Sequence, residues 1–568
     1  MKDFLTLWNS LVGKTYDAVN TNANQTSECL QKTFTPKQKT TGKFRGAITI
    51  SILGILGLVA GSLILVYHPY DLLYRWKLVF GEGGEIFELW RKPPVELYLK
   101  VYLWNVTNKE EYMSGEVDIL QVQEVGPYVY RELLSHENVT FNDNGTLTAN
   151  PKHPLVWVPE LSGGRREDDL LILPNIALLS IADVVSDSSY FTRVGLNIVI
   201  RRTNSEPLVQ MTAREFMFGY SNTLMTLGNN FMPSWIYFDK LGLIDRMYEF
   251  NGDYETVYTG EKHGLKNIGL IEKYSGSTRI PQWESPCGDV TGSSDGTKFP
   301  GYIQPNDTLL FFRKSMCRAK ELIKVGETVL NGLNAYVYHF DPEADDNGYV
   351  HEKNKCFCKG PRKCLPPGLL DVRGCYYGFP IALSYPHFLD GDESLTAKVN
   401  GSQPDPEKHK SFFIIQPDSG LPLQLAARFQ INMALGSIGK MANCERFEDM
   451  ILPLLWTEIS LQELPPSLIL KFRIYLNVLP IGEKMLTYVL LIGGGLFLLY
   501  ALYKFLKLRL TKTKFESPWI EDDLVFNLDR KLSNYIPEKK NSLKNAREME
   551  VFLDNLTTPL ARDIHETV

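Results

Sequence analysis

The sequence predicts a membrane-anchored α+β protein, in which two apolar helices flank one large, mainly β ectodomain with a helical insert. Three observations carry this. Residues 46–67 (GAITISILGILGLVAGSLILVY) and 485–503 (MLTYVLLIGGGLFLLYALY) are uncharged apolar runs. At ~1.5 Å per residue, each can cross a ~30 Å hydrocarbon core as a helix. Between them, short stretches alternate apolar and polar residues, the pattern of half-buried strands. The same interval holds glycosylation sequons and clustered cysteines, features of an extracytoplasmic domain.

The chain divides into an N-terminal tail (1–45), a first span (46–67), an ectodomain (68–484), a second span (485–506) and a C-terminal tail (507–568). Lys37, Lys39, Lys43 and Arg45 precede the first span, and Lys504, Lys507, Arg509, Lys512 and Lys514 overlap or follow the second. Basic residues flanking spans favour the cytoplasmic side, so both tails are expected there, which two crossings satisfy. A cleaved signal peptide fits the first run poorly: it starts too late, is too long and lacks a small-residue cleavage site. Gly57-x-x-x-Gly61 and the triplet 493–495 permit close helix packing, either within the chain or in a homo-oligomer.

Five N-x-S/T sequons fall in the ectodomain, at Asn105, Asn138, Asn144, Asn306 and Asn400, and are expected to carry glycans. Asn24 and Asn555 are sequons in the tails and should carry none. Six of the 8 cysteines lie between Cys287 and Cys375, with Cys444 beyond them and Cys29 in the N-terminal tail. An oxidising compartment makes the six a disulfide framework, for which fifteen pairings exist. A zinc site from Cys356, Cys358, Cys364 and Cys375 is the alternative, although the C-x-C pair is tighter than the usual C-x-x-C knuckle. Cys444 is left unpaired.

With 44% hydrophobic and 22% charged residues and a net charge of -6, the chain suits an ordered domain and not a nucleic-acid binder. No fixed-period repeat points to a solenoid or propeller. In ELYLKVYLWNVTN (96–108), Leu97, Leu99, Val101 and Leu103 share one strand face, and Tyr98, Lys100, Tyr102 and Trp104 share the other. VTFNDNGTLTA (139–149) and VLNGLNAYVYHF (329–340) centre on Asn-Gly, a hairpin signal. GLPLQLAARFQINM (420–433) alternates again, with Leu421, Leu423, Leu425, Ala427, Phe429 and Ile431 on one face. Two stretches, 168–185 and 212–227, read as helical, the second opening with a Thr212…Glu215 capping box. Arg201 and Arg202 lie between them in a polar stretch that reads as a solvated loop.

Several separated motifs resemble the class B scavenger receptor family, which includes fatty acid translocase, the lysosomal integral membrane protein and sensory neuron membrane proteins. YLWNVTNKEEYMSGE (102–116) with EVGPYVYRE (124–132) resembles its N-terminal signature, and AREFMFGY (213–220) resembles the segment after its apical helices. The cysteine cluster and GLPLQLAARFQINM resemble its C-terminal half; the long N-terminal tail is unlike the family's. The resemblance implies an antiparallel β-barrel core, a hydrophobic tunnel and an apical helical bundle. It implies disulfides Cys287–Cys356, Cys317–Cys375 and Cys358–Cys364. It also places Arg201 and Arg202 near apical basic residues that recruit anionic ligands.

The implied function is a receptor that binds lipids (fatty acid, sterol, phospholipid or carotenoid) and lipoprotein or other anionic particles, then passes lipid to the bilayer. An acyl chain in water loses ~0.8 kcal/mol per methylene, a barrier that an apolar channel removes without an energy source. No P-loop, cofactor motif or metal ligand is expected. The alternatives are a lysosomal or endosomal member that carries a protein or exports lipid, and a sensory-membrane member that delivers hydrophobic ligands. Gly292-Ser293-Ser294-Asp295-Gly296 fits the G-x-S-x-G elbow with Ser294 as nucleophile, but its flanks look like loop, so no enzyme activity is expected. Tyr16-Asp17-Ala18-Val19 resembles an endocytic signal, and the C-terminal tail carries no acidic dileucine, which favours the plasma membrane.

Overall fold

The computed structural model describes residues 38–221, 226, 240–358 and 364–513. Cys29, the sequons at Asn24 and Asn555 and the Tyr16–Val19 motif lie outside the described residues, as does most of 222–227. The chain forms two compact units: one of Leu63–Leu486, the other of Met1–Ser62 with Thr487–Val568.

In the second of these units, the helices Gln38–Tyr67 and Leu479–Thr513 contribute their apolar stretches. Both are long and apolar enough to cross a membrane. Ile52, Leu56, Val489 and Leu499 lie more than half exposed, as lipid-facing side chains should. The first-span glycines face the second helix. A Cβ on Gly57 would meet the Leu490 carbonyl oxygen at 3.3 Å, and one on Gly494 would meet the Gly54 carbonyl oxygen at 2.8 Å. Intramolecular packing therefore accounts for Gly57, Gly61 and Gly494, whereas Gly493 and Gly495 have open space beside them.

The large unit is built on an antiparallel sheet. In hydrogen-bonded order its strands are Leu309–Arg313, Arg318–Leu330, Leu333–Phe340, Phe412–Gln416, Leu421–Ala434, Ile451–Leu461, Leu97–Val106 and Leu120–Glu132. The short strand Val399–Asn400 adds in parallel at the far edge, so the path is open, with Leu309–Arg313 at its other end. Both Asn-Gly signals are hairpin turns: Asn331 (φ 52°) and Gly332 (φ 76°) join two strands of this sheet, and positive φ at both centres is what a two-residue turn needs. The Gly145 turn (φ 82°) joins Ser135–Asn142 to Thr146–Lys152. These two pair on with Glu255–Tyr258 and Ile271–Tyr274 in a second, four-stranded sheet.

The alternation in Leu97–Val106 places Leu99, Val101 and Leu103 in the core. Its other face is covered as well: Tyr102 stacks on Trp456 at 3.9 Å, and Trp104 is buried with its indole N–H on Gln430 Oε1 at 3.1 Å. Leu421–Ala434 is likewise buried on both faces toward its C-terminus, where Gln430 and Asn432 bond each other at 2.8 Å and Asn432 reaches Ser384 Oγ at 3.0 Å. Buried polar groups are tolerated when so paired.

The helical insert departs from the predicted pattern. Of the stretch 168–185, the first part is a strand, Leu170–Pro174, and a helix runs over Ile176–Ser186. The capping box at Thr212 is formed, yet its helix covers only Ala213–Phe218 and stops at Gly219 (φ 108°). The polar stretch between them is no loop: Tyr190–Arg202 is a helix, with Ser189 Oγ accepting from the Thr192 amide at 3.3 Å. It escaped prediction because it buries only Ile200 and so lacks a core-facing apolar stripe.

Candidate functional site

Arg201 and Arg202 form the last turn of the Tyr190–Arg202 helix, both exposed, where a cation suits the negative end of the helix dipole. At 100° per residue, Tyr190, Phe191, Val194, Ile198 and Arg201 fall within one sector about 100° wide, with Arg202 at its border. Tyr190 is 67% exposed and Phe191 84%. The helix therefore presents a stripe of exposed aromatic and aliphatic side chains that ends in two cations and packs against nothing else among the described residues.

The helix is held from its other sides. Asn197 donates to the Lys440 carbonyl oxygen at 3.0 Å and accepts from the Ala442 amide at 2.7 Å. Asn443 donates to the Ser205 carbonyl oxygen at 3.0 Å. Beneath lies the Ile176–Ser186 helix, with nine of its side chains buried, among them Asp183, which accepts from the Gly436 amide at 2.8 Å. Cys444, in the same loop, is buried and unpaired, and burial pushes its thiol up to about 12, which makes it inert.

Three cavities follow one another through shared lining residues, the first of them open to the surface past Arg279, Glu284 and Ser285. The largest, ≈660 Å³, is lined by Tyr274, Trp283, Phe312, Lys314, Cys317 and Tyr376 among others. Arg246, Met247 and Tyr376 also line a second, apolar cavity of ≈20 Å³ that reaches Ile176 and Leu383. Leu383 in turn lines a third of ≈20 Å³, walled by Phe311, Phe340, Tyr385 and Phe429 beside Arg313 and Lys320. The two inner cavities each hold roughly one water in this conformation. A fourth, ≈30 Å³, opens among Tyr74, Leu78, Ile86, Leu468 and Phe472.

One of three disulfides, Cys317–Cys375, forms part of the wall of the largest cavity. Cys317 bonds Cys375, Cys287 bonds Cys356 and Cys358 bonds Cys364, so the four sulfurs weighed for zinc are taken by bridges. Trp283 donates its indole N–H to the Cys317 carbonyl oxygen at 2.6 Å. Next to it, the buried Arg318 guanidinium lies 3.6 Å over the Phe357 ring, and burial lowers it to about 10. Deeper, Glu132 accepts from His153 at 2.6 Å and from Tyr248 at 3.0 Å, with Arg313 3.7 Å away. Burial opposes its charge, but Arg313 and the two donors prevail and hold the carboxyl down at about 2.

The remaining predicted residues are scattered. Asn138, Asn144, Asn306 and Asn400 are exposed, while Asn105 is half-buried and accepts from the Ile172 amide at 2.9 Å. Ser294 is buried; its hydroxyl donates to the Lys298 carbonyl oxygen at 2.7 Å and accepts from the Gly296 amide at 3.0 Å. No helix follows it, so the geometry of a nucleophile elbow is missing.

A disulfide-bonded, sheet-rich domain between two membrane-length apolar helices is the architecture of a two-span membrane protein. The chain belongs to the CD36 family, whose family model matches residues 51–505. It is 30% identical over 458 residues to scavenger receptor class B member 1 of Cricetulus griseus, covering 80% of this chain and 88% of that protein. It is 31% identical over 420 residues to lysosome membrane protein 2 of Rattus norvegicus, covering 72% of this chain and 85% of the relative. The class B scavenger receptor resemblance of the sequence motifs holds on both counts.

Proposed function

We propose that this chain is a receptor that captures lipids or lipoprotein particles on the Tyr190–Arg202 helix and passes lipid through its interior to the bilayer. The observation that carries the reading is the succession of cavities with shared walls, reaching Ile176 directly under the docking helix. The exposed stripe supplies apolar contact, and Arg201 with Arg202 attracts anionic headgroups or particles. Transfer needs the inner cavities to widen by side-chain motion, since an acyl chain does not fit ≈20 Å³. No step calls for hydrolysis.

Docking and transfer are separable on this reading. Leu383→Trp puts bulk between the two inner cavities, at about 1–3 kcal/mol of overpacking. Particle binding should persist while uptake of a labelled, non-hydrolysable lipid falls, at matched surface expression. Undiminished uptake in Leu383→Trp would sink the conduit.

Both tails are cytoplasmic in this proposal and the large unit is extracytoplasmic, so enzymatic deglycosylation should map glycans to the exposed Asn138, Asn144, Asn306 and Asn400. Asn105 should be modified least, because its side chain is half-buried and engaged by the Ile172 amide. A glycan at Asn24 or Asn555 would overturn the topology. The plasma membrane is the proposed residence. The lysosomal membrane is the second reading, favoured by the 31% identity to a protein named lysosome membrane protein 2.

A further inference from the structure

Among the described residues, two clusters in the large unit each bring three metal-ligating side chains together: Glu124, His387 and His409, and His136, Glu255 and Asp295. What holds each imidazole decides between them. His387 Nδ1 accepts from the Gln403 amide at 2.9 Å, and His409 Nδ1 accepts from the Asp405 amide at 2.9 Å. Both rings therefore carry their proton on Nε2, and His387 spends it on Glu124 at 2.7 Å. Metal at either Nε2 would require a protonated Nδ1 facing an N–H donor. This cluster is a hydrogen-bonded network.

His136 is wired the other way. Its Nδ1 lies 2.9 Å from the Trp90 carbonyl oxygen, which can only accept, so the ring N–H sits on Nδ1. A backbone carbonyl on the far nitrogen is the usual orienting contact for a metal-bound histidine. Nε2 then faces Glu255 Oε1 at 3.1 Å and Asp295 Oδ2 at 3.5 Å. His136 and Glu255 are almost fully buried, and with the ring proton on Nδ1 the facing Nε2 and Oε1 are both acceptors with no donor between them. Asp295 Oδ1, by contrast, is satisfied by the Thr297 amide at 2.9 Å and hydroxyl at 2.6 Å, which leaves Oδ2 aimed into the cluster.

We propose that His136, Glu255 and Asp295 bind a first-row divalent cation of the zinc type. Bonds of ~2.0–2.1 Å in a tetrahedron give ligand–ligand edges of about 3.3 Å, between the two distances found here. A neutral imidazole with two carboxylates carries two negative charges, which one divalent cation cancels in a buried site. An imidazolium bridging the carboxylates leaves one charge uncancelled and a single N–H for two acceptors. The imidazole ligand disfavours calcium and magnesium. Asp295, with 21% of its side chain exposed, provides the entry side. The cation would join strands Ser135–Asn142 and Glu255–Tyr258 to the loop at Asp295. The Trp90 ring, stacked on His136 at 3.8 Å, shields it from one side. The ligands lie far apart in the chain, so no spacing motif announces them.

The test uses the full chain, without a polyhistidine tag, in detergent micelles. After dialysis against low-micromolar zinc and then buffer, metal analysis should find about one zinc per chain, with a raised unfolding temperature that a chelator reverses. Asp295→Asn and His136→Gln should cut retention more than about tenfold, and His387→Gln should leave it unchanged. Less than a tenth of an equivalent in the wild type, or full retention in Asp295→Asn, would overturn the proposal. Cobalt loading of the wild type decides the matter even if both variants fail to fold. The absorption of a tetrahedral nitrogen–oxygen site supports it; a thiolate charge-transfer band, which would report a free cysteine such as Cys29, or no tetrahedral band, rejects it.

Discussion

Two neighbouring helices, Ile176–Ser186 and Tyr190–Arg202, differ in what they do with apolar residues. The first buries nearly all of its side chains, among them Leu178, Leu179 and Ile181. The second buries Ile200 alone and leaves Tyr190 and Phe191 mostly exposed. Burial of a leucine contributes ~1.5–3 kcal/mol to folding, and an exposed phenylalanine contributes almost none. The first helix is thus committed to stability, while the second is anchored through polar side chains such as Asn197 and leaves its apolar side chains exposed, free for the docking proposed above.

The contrast yields measurements, ordered here by expected size. The largest effect lies deeper still in the core. Glu132→Gln breaks a buried ionic cluster and should cost roughly 3–5 kcal/mol in chemical unfolding. The effect depends on pH with a definite sign. The folded carboxyl, at about 2, is depressed below its ordinary 4.5. Its contribution is therefore complete above pH 4.5 and is lost as pH falls toward 2. The variant should lack that acid limb, and an unchanged acid limb would show that Glu132 is unpaired in solution.

Leu179→Ala should cost about 2–5 kcal/mol and reduce surface delivery. Phe191→Ala should stay within about 0.5 kcal/mol of wild type and yet weaken particle binding. Equal destabilisation by the two would abolish the distinction between the helices. Next comes Arg201→Glu with Arg202→Glu, which should leave the unfolding midpoint in place and weaken capture of anionic particles. The deficit should be widest at low ionic strength, where charges are least screened; a salt-independent deficit would point to a misplaced helix instead. Smallest in its effect on function is Ser294→Ala, although it loses a buried hydrogen bond worth about 1 kcal/mol. Lipid delivery should be unaffected by it, and a loss of delivery at matched expression would restore the enzyme reading.

The legibility of these features follows their physical range. The two spans, the strand alternation at Leu97–Leu103, the Asn-Gly turns and the Thr212 cap are local, so composition and spacing displayed them. The Tyr190–Arg202 helix was local too, but the usual signal of a helix is the stripe it buries, and this one buries a single residue. Its exposed stripe, Tyr190, Phe191, Val194 and Ile198, was the available clue, visible once the period is counted outward instead of inward. Trp104 and Gln430 are buried because the segment around Ser384 and His387 returns over the sheet, which strand periodicity does not encode.

By itself the sequence determined where this protein meets a membrane, which part of it is β and which cysteines can be oxidised. Each follows from hydrophobicity, periodicity or residue type within a short window. Tertiary structure decided how the six cysteines pair, that the first-span glycines face the second helix, and that Met247, Tyr376 and Leu383 wall successive cavities. It also brought His136, Glu255 and Asp295 within ligand distance. These depend on contacts between residues far apart along the chain, and chain folding alone sets those distances.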